Sequence, residues 1–370
     1  MAKTSHNKKT SGGGPSVNEL LRSIERLDRD LVKLANERAK LTERLGKATK
    51  DAGHSPYDSV REKQQIEQAV ATSKGPLSAN ALAAVLRELT SAARALTKNT
   101  KVAYLGPQFS YSHQAAVEHF GAAVDYAPVN TIAAVFEELN RGHAEYGIVP
   151  LENSTDGRIA DTLEMFAKHP IRICGEVQLR IHHNLLAKCP RDQVTEVYSK
   201  PQALSQCRDW LAKHLPGVRL VEMTSTAAAA HLAADKPGAA AVASLQAGIH
   251  CGLDVLAASI EDNRHNLTRF AVIGGEAPKR TGKDKTAMMF ELAHSPGSLA
   301  DAMLVFKKGR LNLTWIESFP FPSQPNEYLF FVEFEGHQTD AAARRGIEAL
   351  RRRVVRLEVL GSYPRGTPID

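Results

Sequence analysis

Tyr146-Gly-Ile-Val-Pro-Leu-Glu-Asn-Ser-Thr-Asp-Gly-Arg-Ile159 runs an apolar strand straight into a cluster of small polar residues. Tyr146 to Leu151 reads as a buried strand, Glu152 to Gly157 as a polar turn, and Ile159, Leu163 and Phe166 as the apolar stripe of a following helix. The turn therefore lies at a strand's carboxyl end and a helix's amino terminus, where unpaired N–H groups and the helix dipole favour a carboxylate or phosphate. A capped helix start and an anion-receptive ligand site fit these residues equally well.

The chain has 370 residues, enough for two or three domains with proper cores. Met1 to Pro15 is rich in Lys, Ser, Thr and Gly, lacks the apolar core of a secretory signal and reads as a flexible tail. No run of about 18 uncharged apolar residues suggests a membrane span. Cys174, Cys189, Cys207 and Cys251 are widely spaced, which fits a reducing, cytoplasmic setting. The net charge of +6 is spread along amphipathic helices and short runs such as Arg351-Arg352-Arg353, the pattern of solvated surface rather than of a nucleic-acid footprint.

Residues 16 to 97 carry helical signals only. Leu20, Leu21, Ile24, Leu27, Leu31, Leu34, Leu41 and Leu45 predict one long amphipathic helix ending near Lys50, broken by Gly53, Ser55 and Pro56. Helices from Asp58 to Thr72 and from Ser78 to Thr97 follow. Three helices of such unequal length bury their stripes poorly alone, which points to dimerisation through the long one. From Lys101 strands alternate with helices, with strands expected at Val102–Leu105, Val124–Ala127, Gly147–Leu151, Glu196–Ser199, Leu220–Met223, Ala239–Ala243 and Phe270–Ile273. The extended stretch from Ile171 to Leu186, interrupted by His182-His183-Asn184, suits a crossover between two lobes. Gly274 to Asp284 reads as a linker. Beyond it strand, helix, two strands around Ser323–Asn326, helix and strand give a βαββαβ, ferredoxin-like order.

HExxH, a nucleophile elbow and a glycine-rich phosphate loop are all missing from the sequence, so neither a metal nor a cofactor is expected. What recurs is hydroxyl and amide clusters after strands: Gly106–Gln114, Asn153-Ser154-Thr155, Tyr198–Leu204, Thr224-Ser225-Thr226 and Asn266–Phe270. Such groups suit binding a small anion and donating a proton.

The series Leu105-Gly-Pro, Val149-Pro-Leu-Glu-Asn-Ser-Thr-Asp-Gly157, Tyr198-Ser-Lys-Pro-Gln-Ala-Leu-Ser-Gln-Cys207, Ser225-Thr-Ala-Ala-Ala229 and Asn266-Leu-Thr-Arg-Phe270 closely resembles prephenate dehydratase. Ser295-Pro-Gly-Ser-Leu299 and Asn312–Pro320 resemble the regulatory ACT domain, and the helical start resembles an all-helical chorismate mutase. The order is that of the bifunctional P-protein family of phenylalanine biosynthesis. The resemblance implies a tail (1–15), a chorismate-mutase-like helical domain (16–98), a two-lobed α/β dehydratase domain of periplasmic-binding-protein type (100–275) and an ACT domain (284–362). It also implies a cytoplasmic homodimer or homotetramer that binds neither nucleic acid nor membrane.

By that resemblance Thr268 donates a proton to, or organises, the leaving hydroxyl of prephenate. Asn153, Ser154 and Gln202 orient the substrate, and Ser225, Thr226, Thr155, Arg269 and Phe270 complete its binding set. Phe109 and Lys200 stand where the family commonly has glycine and histidine. The mutase part keeps Arg38, Asp58, Arg61 and Glu62, but Leu21, Thr49, Ala93 and Thr97 replace four functional groups, so weak or absent turnover of chorismate is expected. Phenylalanine is the implied effector, held by Gly297, Ser298, Leu299, Glu317 and Ser318, with Phe319 replacing the usual arginine. Arogenate dehydratase and a non-catalytic amino-acid sensor are the alternatives.

Overall fold

The computed structural model describes residues 15–53, 57–155, 157–320 and 328–369. The expected tail up to residue 14, the Ser55-Pro56 break, Asp156 and the Ser323–Asn326 turn lie outside them. Helix α1 (Val17–Asp51) opens on a capping box in which Ser16 and Glu19 satisfy each other's backbone N–H groups. Asp58 caps α2 (Ser59–Ala71) and Ser78 caps α3 (Ala79–Ala95), so all three helices fall where their apolar spacing predicts. Only Gly46 of α1 is buried in the single chain.

The first lobe comprises β1 (Lys101–Leu105), α4 (Tyr111–Phe120), β2 (Asp125–Val129), α5 (Ile132–Asn140), β3 (Tyr146–Asn153), β4 (Gly157–Arg158), α6 (Ala160–Lys168) and β5 (Ile173–Arg180). After the crossing at Ile181–His183 the second lobe follows, with β6 (Asn184–Ala187), β7 (Glu196–Ser199), α7 (Pro201–Gln206), α8 (Arg208–His214) and β8 (Arg219–Glu222). It continues through α9 (Thr226–Asp235), β9 (Ala239–Ala243), α10 (Leu245–His250) and β10 (Asp254–Ala257), which pairs with β6 although the sequence reading had no strand there. Strand β11 (Leu267–Gly274) then returns to the first lobe.

The two sheets run β5-β11-β3-β1-β2, with β4 on β3 and a last short strand, β16 (Pro368–Ile369), beside β5, and β10-β6-β9-β7-β8. The extended stretch from residue 171 to 186 is thus one strand in each sheet, joined at the crossover. The returning β11 inserts antiparallel between β3 and β5, which sets Thr268 opposite Asn153. A bulge between Arg269 and Phe270 gives β3 one residue more than β11 there.

The carboxyl-terminal module is β12 (Asp284–Glu291), α11 (Ser298–Gly309), β13 (Leu313–Pro320), β14 (Tyr328–Glu335), α12 (Ala341–Arg351) and β15 (Arg356–Pro364), in the sheet order β13-β14-β12-β15. This is the anticipated βαββαβ order. The module does not end where the sequence suggests, because β15 runs to Pro364 and β16 (Pro368–Ile369) then pairs with β5 of the first lobe. One apolar core joins Leu151, Leu163, Phe166 and Ile173 of that lobe to Leu329, Phe331, Leu360 and Tyr363 of the module. At Gly361 the backbones meet so closely that any Cβ would collide with the Ile173 carbonyl.

Candidate active site

Thr268 and Asn153 are brought together by the register of β11 on β3, although 115 residues separate them. Asn153 Nδ2 donates to Thr268 Oγ1 at 2.8 Å and to Asn266 Oδ1 at 2.9 Å. Its Oδ1 accepts the Thr155 backbone N–H at 2.9 Å, so the turn after β3 fixes which end of the amide faces the threonine. Thr268 is 8% exposed. Its Oγ1 accepts from Asn153, which leaves the hydroxyl's own proton for another acceptor. Ser154 is also tied to this edge, donating its hydroxyl to the His265 carbonyl at 3.1 Å and accepting the Leu267 N–H at 2.9 Å.

From Asn266 the bonded chain crosses into the second lobe. Asn266 Nδ2 donates to Gln206 Oε1 at 2.8 Å, and His183 Nε2 lies 2.9 Å from the same oxygen. His183 Nδ1 is 3.0 Å from the Tyr111 hydroxyl, which donates to the His182 carbonyl at 2.8 Å. Glu261 holds the crossover by accepting from the His183 N–H at 2.9 Å, with His182 Nδ1 2.8 Å away. The sequence reading selected Gln202 for this set. Gln202 is exposed in the first turn of α7 and takes no part in the chain, whereas Gln206, about one helical turn later, does. His183 and Tyr111 were also missed, and a histidine pair set between two buried strands was the available signal.

Ser225 caps α9 by accepting the Ala228 N–H at 3.0 Å, and Thr226 opens that helix. The start of α9 supplies further backbone donors from the second lobe. Phe109, where the family commonly has glycine, holds a φ of 65°, the left-handed backbone that glycine adopts without cost. Its ring stacks on His250 of the second lobe at 3.9 Å between centroids.

Two expected substrate contacts are corrected. Arg269 lies on the opposite face of β11 from Thr268, because successive side chains of a strand alternate. It is consumed by Glu152 at 2.8 Å, Glu176 at 2.8 Å and Glu333 of the carboxyl-terminal module at 2.5 Å. Lys285 joins Glu176 and Glu333 from the same module at 2.8 and 3.1 Å. Phe270 faces the core with Tyr104, Ile148, Val177 and Leu179 and is buried. Neither side chain joins the hydrogen-bonded chain around Thr268.

In the helical domain, Arg38, Arg61 and Glu62 line a cavity of about 280 Å³ together with Arg94 and Thr97. Asp58 does not share it. It caps α2 and lines a second cavity of about 380 Å³ with Thr49, Tyr57 and His119. Glu62 is paired with Arg94 at 2.6 Å, and Arg94 also donates to the Phe120 carbonyl of the first lobe. Of the expected effector residues, Gly297 caps α11 and Ser298 and Leu299 begin it, while Glu317 and Ser318 sit on β13. Arg158, just past the Asn153 turn, donates to Glu317 at 3.2 Å and to the Ser318 carbonyl at 2.5 Å.

A family model described as prephenate dehydratase matches residues 102–278, and one described as chorismate mutase type II matches residues 20–98. The bifunctional chorismate mutase/prephenate dehydratase of Aquifex aeolicus is 40% identical over 354 residues, covering 94% of this chain and 98% of its own. That of Stutzerimonas stutzeri is 40% identical over 311 residues, covering 84% and 85%. Among solved structures, the prephenate dehydratase of Arthrobacter aurescens in complex with L-Phe superposes with a TM-score of 0.67 at 32% identity, over 72% of this chain and 90% of that one.

Proposed function

Because the chain belongs to the family of bifunctional chorismate mutase/prephenate dehydratases, we propose that the cleft of its two-lobed, periplasmic-binding-protein-like domain works through Thr268 and Asn153. The enzyme converts prephenate to phenylpyruvate, carbon dioxide and water in phenylalanine biosynthesis. As the ring carboxylate leaves as carbon dioxide, its bonding electrons enter the ring and expel the hydroxyl, and aromatisation drives the step. The departing oxygen needs a proton. A threonine hydroxyl is a weak acid, so Thr268 acts by position, hydrogen-bonding the leaving oxygen as charge builds there.

The single observation that carries this reading is the 2.8 Å bond from Asn153 Nδ2 to Thr268 Oγ1. That donor stabilises negative charge on the threonine oxygen, and the Thr155 N–H keeps it turned the right way. Ser154, Gln202, Ser225 and Thr226, with the amino terminus of α9, are the donors assigned to the two substrate carboxylates.

The helical domain serves assembly rather than catalysis. Chorismate rearrangement is pericyclic and depends on cations and donors that clamp the folded substrate. Here Thr49 and Asp58 line a different cavity from Arg38, and Glu62 is neutralised by Arg94. The exposed leucines of α1, Leu31 at 63% among them, support pairing with a second copy as a homodimer or homotetramer. The carboxyl-terminal module is an ACT domain through which phenylalanine inhibits, a role supported by the L-Phe complex of the Arthrobacter aurescens relative. Four free thiols fit a reducing cytoplasm.

Purified enzyme assayed separately on prephenate, arogenate and chorismate, with and without phenylalanine, tests each assignment. Thr268→Ala is expected to lower kcat on prephenate by roughly 10²- to 10³-fold. An unchanged rate removes Thr268 from the chemistry, and ordinary mutase rates on chorismate would refute the weak or absent mutase activity assigned to the helical domain.

A further inference from the structure

We infer that His183 is a positioning residue for the dehydration, holding a fixed tautomer that locks the amides behind Thr268. The inference rests on the dehydratase reading of the cleft. Its logic begins at a group whose polarity is certain, the Thr155 backbone N–H, which obliges Asn153 to present its oxygen there and its Nδ2 elsewhere. Both hydrogens of Nδ2 are then committed, one to Thr268 and one to Asn266 Oδ1. Asn266 must therefore turn its own Nδ2 to Gln206, and Gln206 must answer with Oε1.

An oxygen cannot bond an imidazole lone pair, so His183 Nε2 must carry its hydrogen. At the other nitrogen, Tyr111 has one proton for two neighbours, the His182 carbonyl and His183 Nδ1. A charged ring donates from Nδ1 to the tyrosine oxygen while Tyr111 donates to the His182 carbonyl, and a neutral ring accepts the tyrosine proton in place of that carbonyl. In either state Nε2 stays protonated.

The reverse tautomer would oppose two lone pairs at a residue that is only 2% exposed. Turning Gln206 to relieve that would set its amide hydrogens against those of Asn266, and the conflict would pass along to Asn153. Unmade bonds in such a buried, polarised chain are costly. The chain joins both lobes and the crossover, so His183 couples their relative placement to the direction of the Asn153 donor. It does so without touching substrate.

The test compares His183→Gln, which keeps an N–H near the position of Nε2, with His183→Leu, which removes it. His183→Leu is expected to lower kcat by roughly tenfold or more with KM within about twofold, and His183→Gln to retain most of the rate. Wild-type kcat in His183→Leu, or no advantage of Gln over Leu, overturns the inference. Nitrogen NMR of the imidazole-labelled wild-type enzyme reads the tautomer directly and decides the matter even if a variant fails to fold. A protonated Nε2 supports the assignment, and an unprotonated one overturns it. A wild-type protein inactive on prephenate would instead sink the dehydratase reading while leaving the NMR result to judge the tautomer.

Discussion

Thr268 and Arg269 are neighbours with opposite destinations. One is bonded to Asn153, and the other holds the carboxyl-terminal module to the sheet. Arg269 and Lys285 share Glu176 and Glu333 in a site where the Glu333 side chain is fully buried, Tyr363 donates to Glu333 at 2.8 Å, and the Gly366 N–H donates to Glu176 at 2.9 Å. Charges buried this deeply survive only while each has its partners. Glu333→Leu is therefore expected to cost about 3–5 kcal/mol, read from urea unfolding, because it leaves Arg269 and Lys285 to share Glu176 with one buried carboxylate fewer. The same site predicts acid sensitivity. Burial pushes the Glu176 carboxyl up from its ordinary 4.5, but Lys285 and Arg269 outweigh that and hold it at about 2. A carboxylate whose pKa is lower folded than unfolded contributes stability that is full above about pH 4.5 and lost as pH falls toward 2. Unfolding titrations between those limits should show a wild-type slope that Glu176→Gln lacks.

At the scale of elements, α1 carries the proposed assembly. Thirty-five residues at 1.5 Å each make a rod of about 50 Å. Along it Leu20, Ile24, Leu27, Leu31 and Leu34 are exposed in the single chain. Leu27→Glu with Leu31→Glu should reduce the oligomer on size exclusion with light scattering while leaving the circular dichroism of the α/β part intact. An unchanged oligomer would place the interface elsewhere. Most helices and strands were legible in the sequence because caps such as Ser16, Asp58 and Ser78 and the apolar spacing are local signals. Strand order is not local. Nothing near Thr268 says that β11 returns between β3 and β5, and nothing in Pro201–Gln206 says that Gln206 rather than Gln202 meets Asn266. The face of Arg269 was legible, since strand alternation alone sets it opposite Thr268.

At the scale of the whole molecule, the two-lobed domain and the carboxyl-terminal module share a core, a strand pairing and an ion cluster. They should unfold in one calorimetric transition, and two resolved transitions would disprove that coupling. The helical domain is tied to the first lobe through Arg94 to the Phe120 carbonyl, Arg87 to Glu118, the Ala122 N–H to Glu88, and the Tyr57 ring against Phe120 and Tyr146. Gly361 pressed against Ile173 has a consequence for inheritance and engineering. A carboxyl-terminal module seated by a bare backbone contact is not a cassette. A foreign module grafted after the linker would arrive without the glycine that fits Ile173 and without Glu333, the module's own partner for Arg269, so the graft must carry both sides of the seam.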